Sequence, residues 1–205
     1  MVGSPSAVPL PVPLPRRPPV PDDGVRRWYE EELGWETAPG APVRLVVGHR
    51  FDVLDLPLEA GLAALRHLGP ASPVAVRADR MRVLVAAGSA EELPGLLEWL
   101  EWGALDLDLV GLGAGAVTDA PAPPEGVIVR TGAKGLRTGG VGSQGAAVWL
   151  RPPVPGREVE PSLPTLSALG GRGEAPDLVR LVSTAATQCH RLRLRRACAR
   201  PSVLS

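Results

Sequence analysis

Two carboxylates sit inside an otherwise apolar run, Phe51-Asp52-Val53-Leu54-Asp55-Leu56-Pro57. Burying an ionised group in such a run is costly unless a cation or hydrogen-bond donors face it, so these acids are the first candidates for metal binding. Strand side chains alternate, so Asp52 and Asp55 point to opposite faces and cannot hold one ion together without a bulge. The structural alternative is that Asp52 pairs with Arg50 or an arginine of a neighbouring strand, while Asp55 caps a helix beginning near Pro57. Asp106 and Asp108 share one face of an alternating segment, which is the spacing of a metal site and equally that of a half-solvated strand.

Other stretches exclude chemistry more than they suggest it. Neither Gly111 to Gly115 nor Gly132-Ala133-Lys134-Gly135 has the Gly-x-x-x-x-Gly-Lys-Ser/Thr pattern of a phosphate loop. His49, His67 and His190 are scattered, with only Cys189 beside His190, which gives zinc no ligand set. Gly142-Ser143-Gln144-Gly145 misses the nucleophile-elbow spacing by one residue. Arg80 and Arg82 could grip phosphate, since a guanidinium forms a bidentate fork with it. Residues 190–200 carry five Arg and one His, either as a solvated helix end or as a contact for nucleic acid or anionic lipid. Trp99 and Trp102, at helical spacing beside Glu98 and Glu101, suit a protein contact or self-association.

The whole chain bounds these options. Its 205 residues suffice for one domain with tails or two small ones. The formal charge is zero, so no strongly cationic body is available to hold nucleic acid and any such binding must be local. Gly and Pro number 24 each, near the share at which parts of a chain stop folding. The excess of Arg over a single Lys, with no Asn, reflects a GC-rich genome. Two cysteines nine residues apart on one helix are too distant to bridge, and proline interrupts every early apolar run. A cytoplasmic protein with no membrane span is expected.

The elements that must position the candidates follow from periodicity. Residues 1–21 are a proline-rich tail around Arg16 and Arg17, disordered or polyproline II. A helix is expected at 25–33, strands at 43–47 and 51–56, and a helix at 59–68 with Leu62, Leu65 and Leu68 on one stripe. Strands follow at 74–77 and 82–87. Ser89-Ala90-Glu91-Glu92 reads as a capping box opening a helix to about Trp102, with Pro94 in its first turn. A strand is expected at 105–110, a flexible glycine-rich segment at 111–145, a strand at 146–150 and a helix from 177 to about 196. Short links between adjacent strands favour antiparallel pairing, hence an α+β fold: a mixed, largely antiparallel sheet with packed helices, one domain over 22–197 and a disordered end at 198–205.

The strand "VVGHRFDVLDLP", then a helix, a strand pair, a glycine-rich segment and "AVWLRPP", resembles the N-terminal domain of bacterial bifunctional DNA primase/polymerases over residues 41–157. The resemblance implies a primase/polymerase-like fold whose hydrophobic strand delivers Asp-x-Asp to two metal ions, Mg or Mn in an active site. Asp55 matches the first acid, Pro57 stands where the second belongs, and Asp106 or Asp108 is the candidate third. The strand that should present a phosphate-contacting His reads Arg80-Met81-Arg82 instead. The expectation is a degenerate site, with Asp55, Asp108, Arg80 and Arg82 in a vestigial nucleotide pocket of a binding or regulatory module. The alternatives are an active nucleotidyltransferase and an interaction protein using the proline-rich tail and the Trp-bearing helix.

Overall fold

A computed structural model of the chain describes residues 21–124, 146–166 and 176–199. Along it run α1 (Pro21–Arg27), prolonged by a π-helical turn at Trp28–Glu32, then β1 (Thr37–Ala38), β2 (Arg44–Val46), β3 (Phe51–Pro57) and α2 (Leu58–Ala64). There follow β4 (Val74–Arg77), β5 (Arg80–Ala86), α3 (Ser89–Trp99), β6 (Val110–Leu112), β7 (Val117–Asp119), β8 (Val148–Arg151) and α4 (Leu178–Cys198). The fold is α+β, as the pattern predicts. One antiparallel sheet has the order β6-β3-β5-β4-β8, and a second has the order β1-β2-β7. From β3 to β6 the succession strand, helix, strand, strand, helix, strand is a split arrangement in which β5 lies between β3 and β4.

β3 is buried on both faces, and its alternation supplies two cores. Leu54 and Leu56, with Met81, Val83 and Val85 of β5, pack under α2, α3 and α4. Phe51 and Val53, with Leu84, face Trp28, Tyr29, Trp35 and Leu45 on the other side. The apolar stripe of α4 behaves as its periodicity predicts: Leu178, Leu181, Val182, Ala185 and Cys189 are all buried. No helix among the described residues is long and apolar enough to cross a membrane.

Several expectations require correction. The strands at β2 and β3 do not pair with each other but belong to different sheets. Gly48, at φ 99°, turns the chain between them, and a Cβ there would stand 2.3 Å from the Cα of Ala114, so only glycine fits. In α2 the buried positions are Ala60, Gly61 and Ala64, whereas Leu62 is 53% exposed. Close approach decides that face, because a Cβ on Gly61 would meet the Met81 sulfur at 2.3 Å. Residues 105–109 form no strand, and β6 and β7 lie within the segment expected to be flexible; residues 125–145 are outside the described part. Pro21 opens α1, where its fixed φ suits a first helical position, rather than closing the tail, and α4 continues through Cys198. Pro94 falls inside α3, past the first turn.

The capping box also fails, for an informative reason. Gly88, at φ 89°, occupies the cap position of α3 and makes no side-chain cap, while Ser89 is a buried first helical residue. The cap comes from another strand: the Ala90 amide donates to Asp52 Oδ2 at 2.8 Å. Asp52 is fully buried, and its Oδ1 has no hydrogen-bonding partner among the described residues. Burial raises its pKa, opposed by the Ala90 amide. Asp52→Ala is therefore expected to lower unfolding free energy by about 1–2 kcal/mol, the range for a lost cap, while Asp52→Asn keeps most of it. Because the folded pKa is raised, the carboxyl favours the folded state most below the ordinary carboxylate range and its contribution fades as pH climbs through the raised value. Urea unfolding of wild type and Asp52→Asn over that window should show wild type losing ground as pH rises; parallel curves would contradict the buried carboxyl.

Candidate functional site

β3 and β5 pair in a register that sets Asp55 opposite Arg82 and Pro57 opposite Arg80, so the acid and both arginines project from one sheet face. Arg82 Nε donates to Asp55 Oδ2 at 2.9 Å, and Arg80 Nε donates to Asp55 Oδ1 at 2.5 Å. Arg80 Nη1 also donates to Asp108 Oδ1, and Arg196 stands 3.6 Å from the other Asp108 oxygen. In the opposite direction Arg82 Nη1 donates to Asp119 Oδ2 at 3.2 Å, an oxygen that also accepts from Arg77. The charges alternate without a break: Arg196, Asp108, Arg80, Asp55, Arg82, Asp119, Arg77.

The network grades from shielded to wet. The Asp55 and Arg82 side chains are 14% and 15% exposed, whereas Asp108 is 45% exposed. Burial pulls the Arg80 pKa down, but its bonds to Asp108 and Asp55 more than offset this and hold the guanidinium above its ordinary value. The β4–β5 hairpin that carries Arg77 and Arg80 turns at Ala78, whose left-handed φ of 51° is costly for a residue with a Cβ. The Leu58 amide at the start of α2 donates to the Asp79 carbonyl at 2.7 Å and anchors the turn.

The two acids of β3 have exchanged the roles expected of them. Asp52, predicted to pair with an arginine, caps a helix; Asp55, predicted to cap, pairs with two arginines. Arg50 instead bonds Glu160 at 2.8 Å, and that bond lowers the Glu160 pKa. Asp106 and Asp108 do not lie on a strand, so they do not present the paired face that alternation implied. The Asp106 carbonyl accepts from Arg193, and only Asp108 joins Asp55, through Arg80. Pro57, which stands where the resemblance would place a second acid, is buried.

A metal pair of the kind the resemblance implies does not fit these residues. Asp55 and Asp108 converge on a guanidinium, and among the described residues no three His, Cys, Asp or Glu gather at ligand distance. Cys189 offers no nucleophile in their place, because burial, and secondarily Asp108, push its thiol up to about 11. What the arrangement can do is present arginines held in a fixed geometry.

Sequence reasoning missed Asp119 and Arg77, and read Arg196 only as part of the basic helix end and not as a partner of Asp108. Asp119 was hidden in a glycine-rich stretch, although Val117-Thr118-Asp119 carries a short β pattern; Arg77 is the cross-strand partner of Arg80. Of the interaction candidates, Trp99 is 69% exposed, while Trp102 is half-buried with its ring 5.7 Å from that of His190. A cavity of about 820 Å³ lies elsewhere, between Trp35, Pro70, Pro153, Val154 and Pro161. It holds none of the residues singled out by chemistry.

No protein-family model, curated protein or solved structure matches this chain.

Removing Asp55 leaves Arg80 and Arg82 without their shared counter-charge in the shielded half of the network. Asp55→Ala is expected to lower stability by about 2–3 kcal/mol, between the values for exposed and fully buried pairs. Asp108→Ala, in the wetter half, should cost less than about 1 kcal/mol. Denaturant unfolding compares them directly, and the reverse ranking would mean that Asp55 is not the hub.

Proposed function

We propose that this chain is a primase/polymerase-like domain that binds nucleotide or nucleic acid without synthesising polymer, acting as a binding or regulatory module. The observation that carries this reading is the guanidinium of Arg80, bonded at once to Asp55 and Asp108. Nucleotidyl transfer needs two metal ions about 3.5–4 Å apart, each with open positions for the attacking and leaving oxygens. A guanidinium supplies charge and donors but no open coordination position, and it generates no hydroxide. The element order from β3 to β8 supports the family reading, and the arginine at the centre supports the loss of catalysis.

Phosphate recognition is what such a row retains. Arg77, Arg80 and Arg82 stand on one hairpin, and Asp108 and Asp119 are their more exposed partners at 45% and 32%. A phosphate carries more charge than a carboxylate and matches the same planar fork, so it competes for the arginines from the solvent side. Asp55, at 14% exposure, stays behind to hold Arg80 and Arg82 in place.

Trp149 borders the same narrow gap, about 10 Å³, as Arg82 and Asp119, close enough for its fluorescence to respond to a ligand drawn to those arginines from the solvent side. Titration with a nucleoside triphosphate should quench it saturably, with no change on chelating divalent metal. Arg80→Ala should weaken the affinity by about tenfold or more, as expected for loss of a charged hydrogen-bonding partner. Labelled nucleotide should not be incorporated with either Mg or Mn. Incorporation abolished by Asp55→Ala would overturn the non-catalytic reading, and a flat titration would overturn binding.

A further inference from the structure

α3 turns one face to the core and leaves the other uncovered among the described residues. Ser89, Leu93 and Leu96 are buried, while Glu91, Glu92, Glu98 and Trp99 lie outward. Trp99 is the most exposed large apolar side chain among the described residues, at 69%. Between it and Glu91 lies Gly95, one turn before Trp99, where an added Cβ would meet nothing within 4 Å among the described residues. Glycine inside a helix costs about 1 kcal/mol relative to alanine. Packing among the described residues therefore gives no reason for it, whereas close approach of another backbone or ring does.

The helix ends in a six-residue reverse turn: the Trp102 amide donates to the Leu97 carbonyl and the Glu101 amide to the Glu98 carbonyl. The left-handed position of this motif ordinarily takes glycine, yet Glu101 holds it at φ 64°. The strained residue adds a fourth acid beside Trp99. Glu91, Glu92, Glu98 and Glu101 are all exposed, and none forms an ion pair among the described residues.

The turn after α3 brings the opposite charge alongside. Trp102 packs on His190, and Arg193 donates to the Asp106 carbonyl, so the last turns of α4 lie against residues 102–106. On the His190 side of α4, Leu194 is 52% exposed, and Arg191 beside it is exposed with no ion pair among the described residues. This part of the molecule thus carries an exposed Trp, two exposed leucines (Leu105 and Leu194), four glutamates without ion pairs among the described residues and a basic helix end in which Arg195 and Arg196 are paired and Arg191 is not.

We infer that this surface is the interface of a two-fold symmetric homodimer, the acidic face of α3 in one copy lying against the basic end of α4 in the other around the Trp99 pair. A two-fold contact requires a patch that complements itself, and neighbouring acidic and basic zones about an apolar centre meet that requirement. Trp99 is the central anchor, of a residue type that dominates binding energy in such contacts. The glutamates and Arg191 form a solvated rim that sets orientation and weakens as salt rises. The inference is independent of the nucleotide-binding reading.

Sedimentation velocity of the full chain across protein concentration tests it. Wild type should pass from 21.4 kDa monomer to twice that mass, and the transition should move to higher concentration as salt is added. Trp99→Lys should weaken association about thirtyfold or more without changing thermal unfolding of the monomer, because the side chain is exposed. Glu98→Arg and Arg191→Glu should each weaken it by up to about fivefold, and mixing these two variants should restore association, since a mixed pair regains opposite charges on both sides. A wild type that stays monomeric at all concentrations, a dimer indifferent to Trp99→Lys, or a mixture no tighter than its components would each overturn the inference.

Discussion

The interior strand β3 is buried on both faces and yet carries a carboxylate on each, and the rest of the structure is arranged around meeting that cost. On the helix side, Asp52 accepts the Ala90 amide, so the start of α3 is tied to the middle of the sheet. On the other side, Asp55 is answered by two arginines two residues apart on β5, a spacing that alternation places on the same face. A slip of one residue between β3 and β5 would bury both arginines under the helices and leave Asp55 unanswered. The charges therefore specify the register as firmly as the apolar residues between them do.

Arginine and a divalent cation meet such a demand differently. A divalent ion draws carboxylates into a compact shell and leaves positions for ligands. A guanidinium spreads its donors over a plane, so each carboxylate it bonds is held at a different edge. The alternation of Asp108, Arg80, Asp55, Arg82 and Asp119 is the extended outcome of that geometry. Extension also explains the gradient of exposure along the network, since a chain of this reach must run from the sheet interior to its rim.

The fold class and most elements were legible because periodicity reports them: the stripe of α4, the alternation of β3 and the short β4–β5 link all survive in three dimensions. What was not legible depended on partners distant in sequence. Asp52 and Ala90 are 38 positions apart, and a local capping box offered a sufficient explanation for the same helix start. Asp106 and Asp108 alternate with leucines, but too few strand partners remain at that edge, and β6 begins only at Val110. In α2 the leucines misled, because proximity to Met81 selects the smallest side chains for the inner face. The candidate arginines were legible by type, whereas their engagement by Asp55, Asp108 and Asp119 was not, because one partner lay in a segment whose glycines suggested no structure.

The segment between α3 and β6 joins the two surfaces on which the functional readings rest. Its Trp102 packs on His190, its Asp106 carbonyl is held by Arg193, and its Asp108 is shared by Arg80 and Arg196. On the proposed reading, a phosphate that takes Arg80 from Asp108 leaves that carboxylate to Arg196, 3.6 Å away at the end of α4. The same exchange removes one restraint on the segment and strengthens another, on the helix whose outer face carries Arg191 and Leu194. Contiguity of this kind becomes coupling only if the segment has two arrangements of similar free energy. Asp108 satisfies the first condition for that, being a half-exposed group with a cation on either side rather than one buried against a single partner.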